Sequence, residues 1–342
     1  MEVRWIRQPL DHFAKSGNPA GALRDDDATD DAWFMQRYVV SEWTGASPPR
    51  TVFFYAGNEA PVTKYVDSCG MMWENRAAFR ATLVFAEHRF WGASVPARPD
   101  YARMGPEQAI EDYARLLEVV NPNRTMRVVA FGGSYGGMLA AWMRLTRPDV
   151  VDAAVASSAP VLAFPHPDHE GTGQRGLFYG DFGASYWRVV TRGHMAPCAR
   201  GVNAVLSAPS GLVDVALREL GVCPSKPNGG EGAPSAPLTD DDVAMWVAFA
   251  FDNLAMGDYT FRTDYISPGL PKSPAAAACA AFAAARLARG GDPVAGLRAA
   301  LDVWYNASRA EACYRVPPRW DVAFYDGLWD RMFCLNLMPQ ET

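Results

Sequence analysis

The stretch Arg127–Trp142, RVVAFGGSYGGMLAAW, constrains the fold of this chain more than any other. Its first part, Val128 to Phe131, is a short apolar run typical of a buried strand, and Met138 to Leu145 has a helical pattern. Residues 132–136 between them match G-x-S-x-G, and so tight a turn needs glycine around the serine. This strand–turn–helix predicts that Ser134 is presented as a nucleophile. The alternative is that Ser134 only caps the following helix.

A loop earlier in the chain is a second candidate part of the same site. The apolar run Thr51 to Tyr55 is followed by Gly57-Asn58-Glu59. Enzymes with such a serine turn take one oxyanion N–H from the residue after the serine and another from a loop of this kind. We therefore predict an oxyanion hole formed by Tyr135 and Asn58, with an ordinary Gly-Asn turn as the alternative. Glu59 is a candidate to bind a substrate's amino terminus, against the alternative of a solvated carboxylate.

The order of patterns along the chain predicts its architecture. Short apolar runs alternate with helical patterns through residues 37–157, which predicts a doubly wound, mainly parallel α/β sheet. After Ala163, helical segments separated by Gly- and Pro-rich breaks predict a helical cap inserted into the sheet domain. The predicted boundaries are 1–163 for the sheet domain with the serine turn, 164–320 for the cap and 321–342 for the start of a return to the sheet domain.

Composition and charge argue against several classes of partner. The 342 residues carry a net charge of −6, so a basic surface for nucleic acid is not expected. No apolar run reaches the roughly 18 residues that cross a membrane. Six widely spaced cysteines without a C-x-x-C pair favour disulfides or isolated thiols over zinc. We therefore expect no metal, no other cofactor, no nucleic acid and no membrane partner.

Five ordered segments carry a family resemblance. They are FFYAGNE at 53–59, LVFAEHRFWG at 83–92, EQAIEDY at 107–113, GGSYGGMLAAW at 132–142 and SAP at 158–160. Together they resemble the lysosomal Pro-Xaa carboxypeptidase and dipeptidyl peptidase II family of serine peptidases, family S28. The likeness is strong through about residue 163 and thin across the predicted cap.

This resemblance implies both a fold and an activity. The implied fold is an α/β-hydrolase sheet with a helical cap. The implied activity is that of a serine-type exopeptidase, which cleaves peptides next to proline through an acyl-enzyme on Ser134. Carboxypeptidase and dipeptidyl peptidase action both stay open. The alternatives are an esterase or lipase of the same fold, and a catalytically dead peptide-binding protein.

The resemblance also implies a lysosomal or secreted glycoprotein that takes a peptide substrate, with a homodimer among the assemblies it allows. Sequons at Asn123 and Asn306 agree with glycosylation. The first residues contain no apolar signal core, which we interpret as a sign of a cropped N-terminus rather than as evidence for a cytosolic protein.

The acid and base that would activate Ser134 are not found where the family carries them. In α/β-hydrolases they follow the serine in the order Asp then His, on late strands. The histidines after Ser134 are His166, His169 and His194, and the family's late acid and base motifs do not occur. We therefore expect a C-terminally truncated chain without its last strands, poorly stable and with an open strand edge at 152–157. A short protein that has lost catalysis is the alternative.

His88 and the cysteines give the remaining expectations. Because His88 follows the apolar run 83–86, it is a candidate substrate-binding residue, against the alternative of a hydrogen-bonded histidine that holds a loop. By family position, Cys198 pairs with Cys279 and Cys223 with Cys313. Cys334 is then left without a partner, and Cys69 is expected to be a buried free thiol.

Overall fold

The computed structural model divides the chain into two compact units. The first comprises Met1–Tyr179 with Gly327–Thr342, and the second comprises Gly180–Asp326. The structure describes residues 1–14, 32–161, 196–207, 211–223 and 238–316, together with Leu328 and Met332. The domain boundaries drawn at 163 and 320 fall outside these residues and stay predictions. The same holds for His166, His169, His194 and Cys334.

A six-stranded sheet forms the centre of the first unit. Its strands are β1 (Glu2–Pro9), β2 (Trp33–Ser41), β3 (Thr51–Tyr55), β4 (Ala81–Ala86), β5 (Arg127–Gly133) and β6 (Ala153–Ser157). They lie in the order β1-β2-β4-β3-β5-β6. From β4 to β6 neighbouring strands pair in parallel, whereas β2 is antiparallel to both β1 and β4. This mainly parallel sheet, with the serine turn directly after β5, confirms the predicted α/β-hydrolase fold.

Burial falls from the centre of the sheet to its edge. Every residue of β3 and β4 is buried, as expected where helices cover both faces of a parallel sheet. The helices of this unit are α1 (Val62–Val66), α2 (Gly70–Phe79), α3 (Pro106–Val120) and α4 (Tyr135–Thr146). In contrast, β6 is exposed or half-buried throughout and ends the sheet among the described residues. The strand predicted at 152–157 is therefore one of the two edges of the described sheet, and β1 is the other.

The second unit is helical among its described residues, apart from one isolated bridge between Val222 and Tyr314. Its helices are α5 (Ala196–Leu206), α6 (Leu212–Arg218), α7 (Asp240–Met256), α8 (Pro274–Ala288) and α9 (Pro293–Tyr305). The face of α8 that packs inward is built of alanine, Cys279 and Phe282, which lets α9 approach closely. At the centre of this core Trp246 stacks on Tyr305, with 4.7 Å between ring centroids.

The disulfides implied by the family resemblance are both present in this second unit. Cys198 is bonded to Cys279 and Cys223 to Cys313, with Cα–Cα distances of 5.3 and 5.0 Å. Cys69, in the first unit, is a free thiol as expected, and it is half-buried. Burial raises the pKa of this thiol to about 12, which disfavours the reactive thiolate at neutral pH. Within the described ranges, none of the helices is both long and apolar enough to cross a membrane.

Candidate active site

Ser134 lies at the turn between β5 and α4 in a strained backbone conformation. Its φ is 53° and its ψ is −126°, a region that residues with a side chain rarely occupy and that costs on the order of 1–3 kcal/mol. The Ser134 N–H donates to the carbonyl of Ser157 on β6 at 3.0 Å, which holds the turn against the sheet. The side chain makes no capping hydrogen bond to α4, and the residue is exposed. The turn therefore presents the hydroxyl to solvent, and the helix-cap alternative does not describe it.

The two glycines of the G-x-S-x-G pattern are required by close backbone approaches. A Cβ on Gly132 would lie 2.0 Å from the carbonyl oxygen of Gly136, and one on Gly136 would lie 2.7 Å from that of Ala56. By contrast, the nearest atom to a Cβ on Gly133 is 4.0 Å away. The turn thus needs glycine at the two outer positions of the pattern, while the position before the serine has room for a side chain.

The loop after β3 lies directly beside this turn. Asn58 is only 2% exposed, and its side-chain nitrogen lies 3.5 Å from the carbonyl of Gly133. A Cβ on Gly57 would come within 2.1 Å of the carbonyl oxygen of Ala86, so the loop packs tightly against the end of β4. Glu59 is half-buried, and its charge adds to burial in raising the pKa of Tyr135. The structure therefore brings together the regions around Ser134, Asn58 and Glu59.

His88 lies beneath the serine turn rather than at the surface. It is fully buried; its Nδ1 is 2.7 Å from the carbonyl of Arg89 and its Nε2 is 3.0 Å from the Tyr135 hydroxyl. Because a carbonyl only accepts, Nδ1 carries the proton, and Nε2 accepts from Tyr135. Burial lowers the pKa of His88 to about 4, so the ring is neutral at pH 7.

This position matches the alternative interpretation, a histidine that holds a loop. With no exposed atom, the His88 ring has no surface in this structure with which to touch a peptide. The apolar run before His88 indicated its place after the end of β4, but not the direction in which its ring points.

Sequence analysis missed a buried ionic network around this loop. Arg89 and Asp112 are fully buried and joined by two hydrogen bonds of 2.7 Å, a bidentate geometry. His12 adds a third contact to the Asp112 carboxylate at 2.7 Å. Burial alone would raise the pKa of Asp112, but Arg89 and His12 hold it below the usual value. The sequence signal that could have revealed this network is Asp112, a carboxylate on the apolar face of the 107–120 helical pattern.

Glu87, next to this network, holds the same loop from the other side. Its buried carboxylate is paired with Arg37 and also accepts from the Val62 N–H and the Ala93 N–H, each at 2.9 Å. A Cβ on Gly92 would lie 2.0 Å from this carboxylate, so the loop can close only on glycine. All of Glu87, His88 and Arg89 are thus buried and bonded, and the loop that they form is rigidly held.

The described residues do not include an acid and base arranged to activate Ser134. The histidines among them are His12, bonded to Asp112, and His88, bonded to Tyr135. No group of three or more potential metal ligands occurs in the described part of the chain. With the described residues alone, this site presents an exposed hydroxyl beside a helix N-terminus and the Asn58 loop.

Comparison with known proteins agrees with the motifs. Residues 21–166 match the family model described as Serine carboxypeptidase S28. The lysosomal Pro-X carboxypeptidase of Bos taurus is 29% identical over an alignment of 340 positions, which covers 92% of this chain and 60% of that protein. The thymus-specific serine protease of Mus musculus is 34% identical over 167 residues, covering 46% of this chain and 30% of its own.

These comparisons confirm the predicted resemblance to family S28. The chain spans about 60% of the length of the bovine carboxypeptidase that it matches. Among solved structures, the proline iminopeptidase of Mycobacterium smegmatis aligns with a TM-score of 0.36 at 11% identity, over 68% of this chain and 70% of that one.

Proposed function

We propose that this chain, whose sequence resembles the S28 serine carboxypeptidases, carries the nucleophile and the oxyanion hole of a serine-type exopeptidase. The observation that carries the proposal is the strained, exposed Ser134 at the turn between β5 and α4, with φ 53°. Strain of this kind persists only where the surrounding structure enforces it, and it clusters at functional sites. Here the close approaches of Gly132 and Gly136 enforce it.

The proposed reaction is acyl transfer. The Ser134 oxygen bonds to the scissile carbonyl carbon and its proton passes to a base, which we place outside the described residues. The carbonyl oxygen becomes an oxyanion, stabilised by the backbone N–H groups of Tyr135 and Asn58. The C–N bond then breaks, and the leaving amine takes the proton. Water cleaves the resulting ester, which frees the acid product and restores the Ser134 hydroxyl.

The proposed substrates are peptides with proline next to the scissile bond. This choice is supported by the lysosomal Pro-X carboxypeptidases among the relatives. Glu59 is proposed to receive the amino terminus of the peptide if the enzyme acts as a dipeptidyl peptidase, because it is half-buried and directly follows Asn58 in the loop beside the serine turn. A carboxypeptidase would instead need a cation for the substrate carboxylate.

A lysosomal or secreted location is proposed on two grounds. The curated relatives include lysosomal proteins, and the two disulfides are typical of an oxidising compartment. Of the two sequons, Asn123 is exposed, whereas the Asn306 side chain bonds both the N–H and the carbonyl of Glu311. We therefore propose Asn123 as the preferred glycosylation site.

Active-site labelling of the natural gene product tests the nucleophile. A fluorophosphonate probe should attach to Ser134, as located by peptide mapping, and Ser134→Ala should abolish the labelling. The matched control is Ser68→Ala, since Ser68 is also exposed but lies outside any such turn; it should label like the wild type. Labelling that survives Ser134→Ala would remove Ser134 as the nucleophile. A folded, unlabelled wild type that binds proline peptides would favour the peptide-binding alternative.

A further inference from the structure

We infer that two buried tyrosine hydroxyls, those of Tyr113 and Tyr135, position the two backbone N–H groups of the oxyanion hole. The inference deepens the proposed function and rests on it for the identity of the hole. Neither tyrosine side chain touches the reacting atoms, so both are positioning groups. Each is fully buried and hydrogen-bonded to the loop opposite its own element.

We call each of these two hydroxyl hydrogen bonds an anchor. The first anchor, made by Tyr113, acts through the peptide unit that joins Gly57 to Asn58. The Tyr113 hydroxyl, on α3, donates to the Gly57 carbonyl at 2.6 Å. A peptide unit is planar and trans, so its C=O and N–H point in opposite directions. By fixing the Gly57 carbonyl on the α3 side, Tyr113 turns the Asn58 N–H away from α3.

The surroundings of this peptide unit leave it little freedom to rotate. Gly57 is in close contact with the end of β4, where an added Cβ would meet the Ala86 carbonyl oxygen at 2.1 Å and the His88 nitrogen at 3.1 Å. The Asn58 carbonyl is taken by the Ala60 N–H at 2.8 Å. Among the described residues, the Asn58 N–H has no hydrogen-bond acceptor. A buried N–H without an acceptor is costly, and an oxyanion would satisfy it.

The second anchor holds the first turn of α4. The Tyr135 hydroxyl donates to His88 Nε2 at 3.0 Å, and His88 Nδ1 donates in turn to the Arg89 carbonyl. Because Tyr135 is the first residue of α4, this chain of bonds fixes the position of its own backbone N–H. The side chain thus ties the serine turn to the loop after β4.

Both anchors depend on the helix α3. Asp112 and Tyr113 are neighbours on α3: the Asp112 carboxylate clamps Arg89, and the Tyr113 hydroxyl clamps Gly57. The α3 helix therefore sets the separation between the Asn58 loop and the loop that holds Tyr135. Burial raises the pKa of both tyrosines well above 10, so both hydroxyls keep their protons and can donate at neutral pH.

Removal of single hydroxyl groups tests the inference. In Tyr113→Phe and in Tyr135→Phe, the maximal rate of fluorophosphonate attachment to Ser134 should fall about tenfold, less than the 100-fold or more lost with a whole oxyanion donor. The probe concentration at half-maximal rate should not change. The matched control is Tyr305→Phe, which removes an equivalent hydroxyl–carbonyl bond of 2.7 Å to Trp246 in the second unit. This control should stay within about twofold of the wild type. An equal fall in the control would indicate general destabilisation and overturn the inference.

An independent measurement separates this inference from the proposed function. With ¹⁵N labelling, the Asn58 amide signal should shift in Tyr113→Phe, and the amide signal of position 135 should shift in Tyr135→Phe. Neither signal should move in Tyr305→Phe. If the amide signals of both site variants stay at their wild-type positions, the positioning role is wrong, whatever the labelling shows. If the wild type is not labelled and the amide signals still shift as expected, the proposed function fails while the positioning role stands.

Discussion

The two compact units are stabilised by different interactions. In the first, the Arg89–Asp112 pair is fully buried, and Glu87 is buried against Arg37. In the second, the described ion pairs are half-exposed or exposed, as in Arg298–Asp302 and Arg218–Asp214, and disulfides join its segments instead. The residues proposed for chemistry all lie in the first unit.

This difference follows from what each kind of interaction does. A disulfide stabilises chiefly by restricting the unfolded chain, and it says little about where side chains point. A buried ion pair adds little net stability compared with apolar packing, but it is satisfied in only one geometry. The sheet unit therefore uses buried charges where loop orientation matters, at the loop that contacts the Tyr135 hydroxyl.

Reduction of both disulfides should give the largest effect among the tests of this comparison. Each closes a long loop, with sequence separations of 81 and 90 positions between its cysteines, and loss of a native disulfide typically costs about 2–5 kcal/mol. We expect a reductant to remove hydrogen-exchange protection from α5 to α9 while the sheet strands keep theirs. The matched control is Cys69→Ala, which removes a free thiol and should leave the hydrogen-exchange protection of both units unchanged. Equal loss of protection in both units would break the comparison.

Neutralising Asp112 should give the next largest effect. In Asp112→Asn, the Arg89 guanidinium remains buried without its counter-charge, which typically costs about 3–5 kcal/mol. The loss should appear in denaturant unfolding of the first unit. Glu118→Gln is the control on the same helix, because Glu118 pairs with Arg147 at the surface at 3.3 Å and should cost less than about 1 kcal/mol. Similar costs for both variants would contradict the role given to the buried network.

The smallest expected effect is a pH dependence due to His88. Its pKa is about 4 in the folded protein against 6.5 for the ordinary side chain, so between these values the unfolded state binds the extra proton. Stability is therefore fully present above pH 6.5 and falls towards pH 4, by up to about 3 kcal/mol. Denaturation of the first unit at several pH values measures this slope. His88→Gln should flatten it, and an unchanged slope in that variant would show that other groups are responsible.

Local patterns predicted most of the regular elements. The patterns predict strands at 36–40, 51–55, 82–86, 127–131 and 152–157, and helices at 107–120, 138–145, 210–220, 240–254, 274–289 and 293–305, all close to what the structure shows. A further helix, predicted at 183–192, lies outside the described residues. The edge strand β1 and the helices α1, α2 and α5 were missed. In β1, Trp5 on its exposed face is apolar, which obscures the alternation. In α5, Pro197 and Gly201 lower the helix propensity.

The sequence alone determined the serine turn, because its chemistry is local. Gly132 and Gly136 permit a conformation that places Ser134 in the open, and the flanking strand and helix are specified by residues within a few positions. The family motifs likewise indicated the cysteine pairs, both of which the structure contains.

Only the tertiary structure decided how the loops around that serine are held. The contacts responsible join residues far apart in the chain: 47 positions separate His88 from Tyr135, 56 separate Gly57 from Tyr113, and 23 separate Arg89 from Asp112. A sequence pattern shows that such polar residues lie on buried faces, but not which donor meets which acceptor. That pairing depends on strand order and helix packing, since the hydrogen bonds act over about 3 Å and demand alignment.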